Sequence, residues 1–208
     1  MDKFSKLYIA LKFRLKGAKM YRAMDALEMG REIHDGFRKD GVTPEFQHQI
    51  EIAHYIFTLK GLITKKMIEN AIIVALLHDT DEDNPHDIPK GKLDTYGADC
   101  VTAILLLNKH RSADYPTYFK NIANNVLAAL VKGADRINNF QSMNRGKFKL
   151  EKQIAYAKEV VDYFLPMLKR ARKKFPRQMD AFYNIEFILK SQHELISLFI
   201  SASTEKPA

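Results

Sequence analysis

Apolar residues recur at helical spacing along almost the whole chain. Phe4, Leu7, Tyr8, Leu11 and Leu15 fall on one face, and Met20, Ala23, Met24 and Leu27 on the next. Thr43-Pro44-Glu45 reads as an N-cap, a first-turn proline and a first-turn acid, opening a helix that continues through Leu59 and stops at Gly61. That reading places His48 in mid-helix. Thr64 caps the next apolar run, 65–77, and a polar loop is predicted over 81–90, where Asn84-Pro85 and Pro89 break the pattern. A helix over 90–96 with Gly97 as its stop and a second over 99–107 follow. A long helix over 118–138 carries Ile122, Val126, Ala129, Leu130 and Ile137 on one side. A polar loop over 140–149 leads to the last two helices, 150–175 and 179–200, separated near Pro176. No stretch alternates long enough to demand a sheet. The prediction is all-α, one domain over 1–200, with a disordered tail over 201–208.

Composition narrows this picture in two ways. With 208 residues, 46% apolar and 28% charged, the chain can bury one good core and has the make-up of an ordinary globular protein. No apolar run approaches the roughly 20 residues of a membrane span, and the first residues lack the apolar core and cleavage site of a secretory leader. Cys100 has no second cysteine to pair with, so a cytoplasmic, reducing location is expected. The formal net charge is +8, and the excess gathers near the ends, at Lys12, Arg14, Lys16, Lys19 and Arg22 and again over 169–174. Two readings stand: solvated helix faces, or an electrostatic funnel for a polyanion such as a phosphate-rich nucleotide or an RNA end.

Candidate chemistry gathers in three segments. The apolar run 72–77 delivers His78-Asp79, and Glu82-Asp83 follow three residues later. A buried helix ending in an imidazole and a carboxylate offers half of a divalent-metal site, and the acids Asp79, Asp81, Glu82 and Asp83 would repel one another without a cation. Upstream, Arg38-Lys39 precede His48. Downstream, Asp135 closes a strongly apolar helix, where a carboxylate needs a partner. Taken singly, each residue is equally a hydrogen-bonded core group, or in the case of Asp135 a local ion pair with Arg136. His34, His54, His86, His110 and His193 lack matching neighbours and are read as surface or core histidines.

Together, His48, His78-Asp79 and Asp135 give the H…HD…D order of the HD-domain metal-dependent phosphohydrolases. Within that superfamily the chain resembles the hydrolase domain of RelA/SpoT proteins and the small alarmone hydrolases, SpoT-like and Mesh-type. That branch carries R-K-x-G-x-x-(T)P-Y-x-x-H, L-L-H-D-x-x-E-D and K-L-A-D-R-L-H-N. The similarity runs over about 36–164, with Glu82-Asp83 its most specific element.

The resemblance implies an HD-domain helical bundle with extra N-terminal and C-terminal helices. It implies one divalent ion, Mn²⁺ or another transition metal, on His48, His78, Asp79 and Asp135. Glu82 and Asp83 would position and deprotonate the attacking water or protonate the leaving oxygen. Arg38 and Asn139 would enclose the base and ribose, and Lys39 would approach phosphate. The implied reaction removes the 3′-pyrophosphate of (p)ppGpp in the stringent response, with no obligate protein partner. Some members of the group act as antitoxins on ppApp or on 3′-pyrophosphorylated tRNA. An HD 5′-nucleotidase and a non-catalytic RNA-binding helical module are the other readings. Four positions depart from the branch: Glu45 for Tyr, Gln49 for Pro, Gly133 for Leu and Asn138 for His. All four are expected around the base pocket.

Overall fold

The computed structural model describes residues 1–38, 41–83, 86, 91–143 and 148–204. Among these the fold is all-α, and the β-type pairing consists of isolated bridges, Phe37 with Pro44 and Lys60 with Ile63. The helices are α1 Lys3–Gly17, α2 Tyr21–Ile33, α3 Gln47–Thr58, α4 Lys65–Leu77, the short turn α5 Thr80–Asp83, α6 Ala98–Leu107, α7 Tyr115–Ala123, α8 Val126–Met143, α9 Leu150–Glu159, α10 Leu165–Lys174 and α11 Met179–Thr204. Among the described residues no helix is long and apolar enough to cross a membrane.

α4 is the axis of the core. Ile68 and the unbroken run from Ala71 to Leu77 are buried, and α2, α3, α6 and α8 pack around them. A helix that is apolar on every side has to be enclosed in this way. Thr64 starts it as predicted, its hydroxyl accepting from the Met67 N–H at 3.3 Å. His78 is the C-cap, so the packing of α4 sets where the His78-Asp79 pair emerges. α11 lies across α8 at Gly133, where an added Cβ would stand 2.6 Å from Ile185 Cγ2.

Several boundaries differ from prediction. Thr43 does not cap α3, whose N-cap is Phe46: Arg38 N–H donates to Thr43 O at 2.8 Å and Glu45 N–H to Gly36 O at 2.9 Å, pairing the backbone of Gly36 and Arg38 with that of Thr43 and Glu45. α3 therefore starts at Gln47, and His48 sits in its first turn, not in mid-helix. The long helix predicted over 118–138 is two helices. Asn125 breaks it by turning its side chain onto the Ala128 N–H at 3.0 Å, the backbone competition that asparagine offers. Residues Thr80–Asp83 form a helical turn, not loop, whereas Asn84, Pro85 and Pro89 lie outside the described residues. The helix predicted over 90–96 shrinks to a 3-10 turn, Leu93–Tyr96. α8 continues to Met143 and α11 to Thr204, so 201–204 of the predicted tail are helical, and 205–208 lie outside the described residues. Between α9 and α10 a π-helical turn, Val160–Phe164, precedes Pro166, which has no N–H to continue an α-helical ladder.

Part of the charge near the chain ends serves packing. Arg14 lies 4.2 Å from the Phe57 ring and 3.1 Å from His54, whose other ring nitrogen meets Leu7 O at 3.0 Å and pins α1 to α3. Arg172 bonds Glu186 at 2.8 Å and stacks on Tyr183, docking α10 on α11. Lys174 reaches Asn124 at 3.0 Å.

Candidate metal centre and its cleft

Three helices bring the first donors together. The start of α3 supplies His48, the end of α4 supplies His78, and the middle of α8 supplies Asp135. One ligand atom from each lies within 4.8 Å of the others, close enough for the three to converge on one cation with a small inward adjustment of the side chains. All three residues are buried.

Local bonds aim the donors. His78 Nδ1–H donates to Ala75 O at 2.9 Å, which leaves Nε2 facing the Asp79 carboxylate at 3.0 Å. His48 Nδ1–H donates to Asn138 Oδ1 at 2.7 Å, which leaves its Nε2 facing Asp135 Oδ1 at 3.0 Å. Asn138 is oriented in turn by donating to Glu51 Oε2 at 2.9 Å, and Glu51 takes Lys3 at 2.6 Å. Imidazoles held at one nitrogen by a carbonyl oxygen, with the other turned toward carboxylates, are the arrangement that metal ligands adopt. The donor set of nitrogen and carboxylate oxygen suits a first-row transition ion. Asp79 stands beside the set, through His78, and Gln49 Nε2–H donates to its other oxygen at 3.2 Å.

The electrostatics follow from these contacts. Burial alone would lower the His78 imidazole, but the adjacent Asp79 carboxylate outweighs it and raises the value to about 9. Burial likewise disfavours ionised Asp79 and Asp135. Both are nevertheless held below the ordinary carboxylate range, Asp79 by His78 and His48, Asp135 by Lys132 and the two imidazoles. Protonated His78 therefore stabilises the metal-free fold in full below its ordinary value of 6.5, and this contribution is lost as the pH rises through about 9. The two carboxylates contribute above their ordinary 3.8 and lose that contribution only as the pH falls below it. The metal-free protein is thus expected to melt lower at pH 9 than at pH 7, a span over which buried His34 and His54, both lowered by burial, no longer act in the opposite direction. Apparent affinity for a divalent ion, with Mn²⁺ as the probe, should climb over 6.5–9, because an ion held on His78 would take the nitrogen that the proton leaves. Calorimetric melts and Mn²⁺ titrations across this range check both slopes. Slopes of the same sign would refute the His78–Asp79 account.

A cleft of about 760 Å³ opens over these donors, with Arg38, His48, Asp79, Glu82, Asp135 and Asn139 among its lining. That volume is in the range of small-molecule sites. Glu82 stands on α5, paired with the Lys109 ammonium and accepting from the Lys109 N–H at 3.3 Å. Asn139 donates to Asp135 Oδ1 at 2.7 Å, so its amide serves the donor carboxylate. Lys39 lies outside the described residues, and so does the side chain of Asp83.

Within the acidic run, Asp81 and Glu82 have separate partners. Asp81 is taken by Arg111 at 2.6 Å and by Asn108 at 2.7 Å, and Glu82 by Lys109. The cations at 109 and 111 thus divide these two acids into separate pairs. The four departures divide. Glu45, 3.6 Å from His34, and Gln49, which holds Asp79, line the cleft with Arg38, whereas Gly133 faces α11 and Asn138 backs His48, away from the cleft lining.

Four residues in or beside the site carried little or no weight in the sequence. Lys132 donates to Asp135 Oδ2 at 3.1 Å from one turn away on α8, a same-face spacing that was legible. Lys109 and Tyr156 line the cleft from segments with no sequence signal. His34, read as background, is buried and stacked on Phe46 beside Glu45, and burial pushes its imidazole down.

An all-helical fold with His and Asp donors gathered beneath a cleft supports an enzyme of the metal-dependent hydrolase class. No family model matches the chain. Over 154 residues, 68% of the chain, it is 27% identical to the guanosine-3′,5′-bis(diphosphate) 3′-pyrophosphohydrolase of Haemophilus influenzae. The matched part spans 21% of that relative's length. This similarity supports a hydrolase of the HD type.

Proposed function

We propose that the protein is a metal-dependent 3′-pyrophosphohydrolase of guanosine alarmones. The observation that carries this reading is the convergence of His48, His78 and Asp135 beneath a cleft that also presents Glu82, Lys109 and Lys132. His48, His78 and Asp135, with Asp79 adjacent, would hold one divalent ion, Mn²⁺ being the choice that the resemblance suggests. Such an ion acidifies water and polarises a phosphoryl oxygen.

The chain's own residues supply the rest. Glu82 is a carboxylate next to the donor set but outside it, placed to take or return a proton. Lys109 and Lys132 bring positive charge to the same wall, which suits an anionic pyrophosphate. Arg38 and Tyr156, the latter with Arg136 4.1 Å from its ring, line the cleft and carry planar groups that a base could meet. Asp83, Lys39 and Asn139 are proposed to act with them, as acid, phosphate contact and ribose contact.

Mn²⁺-dependent pyrophosphate release from ppGpp, run beside ppApp and 3′-pyrophosphorylated tRNA with His78→Ala as control, tests the reading. Turnover of ppGpp that His78→Ala abolishes is the expected result. Turnover of the adenosine or tRNA substrate alone would replace it with an antitoxin-type hydrolase. Absence of release from all three would favour a 5′-nucleotidase or a binding module.

A further inference from the structure

Gln49 follows the first histidine, where the resembling branch carries proline. The residue is 1% exposed and lies on the wall of the cleft. The Nε2–H donates to Asp79 Oδ2 at 3.2 Å, and Asp79 Oδ1 stands 3.0 Å from His78 Nε2, so the amide is tied directly to the donor set. Among the described residues, Oε1 has no hydrogen-bond partner.

A buried amide oxygen left unmet is costly, and beside a binding site it is accounted for by a water or by a proton donor that arrives with the ligand. The ammonium groups of this wall do not serve it: Lys132 is engaged with Asp135, and Lys109 with Glu82. Because Asp79 ties the amide to His78, the waiting acceptor belongs to the neighbourhood of the cation and not to the cleft mouth. We propose that Gln49 is a positioning residue of the cation site. Its N–H orients Asp79, and its Oε1 accepts a hydrogen bond from water that enters with the ion. Proline provides neither function. The proposal rests on the metal-binding half of the reading above and is independent of the substrate.

Gln49→Leu and Gln49→Met remove the amide at similar volume, and Gln49→Glu restores an acceptor oxygen. Mn²⁺ affinity is read from the paramagnetic resonance of the free ion, and ordering of water from proton relaxation at the bound ion. Circular dichroism of the metal-free variants shows which of them fold. The Leu and Met variants are expected to bind Mn²⁺ about tenfold or more weakly, with altered relaxation, and the Glu variant, which keeps an acceptor but loses the N–H to Asp79, to bind more tightly than either of them. A folded Leu or Met variant with parental affinity and relaxation overturns the proposal; if one fails to fold, the other decides. A parent protein that binds Mn²⁺ yet leaves ppGpp intact removes the alarmone reading and leaves Gln49 to be judged on these measurements. A parent that does not bind Mn²⁺ overturns both.

Discussion

Glu82→Ala is expected to slow pyrophosphate release from ppGpp by about 10²–10⁴-fold, the range that a positioned acid or base contributes, with Mn²⁺ affinity unchanged. The carboxylate lies on α5, just past the end of α4, and is not one of the clustered donors His48, His78 and Asp135. Its removal leaves those ligands and the bonds that aim them in place. Glu82→Gln sharpens the test. The amide keeps the size of the side chain and its acceptor oxygen for the Lys109 N–H, which Glu82 meets at 3.3 Å, but it cannot take a proton at neutral pH. Both variants should fail alike if Glu82 works in acid–base chemistry. An active Gln variant would restrict Glu82 to holding Lys109, and loss of Mn²⁺ binding in either variant would make it a ligand.

The second large effect concerns stability. Gly133→Leu should destabilise the fold by more than about 3 kcal/mol, as read from urea melts, because overpacking a closed core typically costs 1–3 kcal/mol for a few added carbons. Even a lone Cβ there would stand 2.6 Å from Ile185 Cγ2 and 3.2 Å from Leu168 Cδ2, both side chains being fully buried. Alanine is the informative comparison. It recovers about 1 kcal/mol of helix propensity, which offsets part of the clash, so Gly133→Ala should cost far less than leucine. A leucine variant as stable as the parent would mean that α11 does not seat on α8 at this point. The leucine usual in the resembling branch is thus excluded by helix packing, and the glycine carries no information about the nucleobase.

That residue also shows where legibility in the sequence ends. Faces of α1, α2 and α4, the Thr64 cap and the emergence of His78-Asp79 at a helix end follow from local spacing, and the structure has them so. The ordered histidines and aspartates carried the site hypothesis, and the fold places His48, His78 and Asp135 side by side across three helices. What local spacing could not show was pairing between distant segments. Lys109 meets Glu82, and Arg111 meets Asp81, across a connection whose path the sequence does not encode in any periodic signal. Asn138 was read as a change near substrate, and only the packing of α3 on α8 shows that it backs His48. The break before α8 was missed because apolar spacing continues across it, while Asn125 stops the backbone ladder by a side-chain bond.

One further consequence follows from the origin of the donors. His48 and Asp135 are 87 residues apart, so an ion shared between them would act as a reversible cross-link closing a long loop of chain. For a permanent link of that reach, loop-closure entropy corresponds to about 4–5 kcal/mol withdrawn from the unfolded ensemble. An ion that never let go would thus be worth a disulfide to a chain whose lone cysteine cannot form one internally. An exchangeable ion makes the lifetime of the folded chain, and with it its exposure to proteases, follow the supply of free metal in its surroundings.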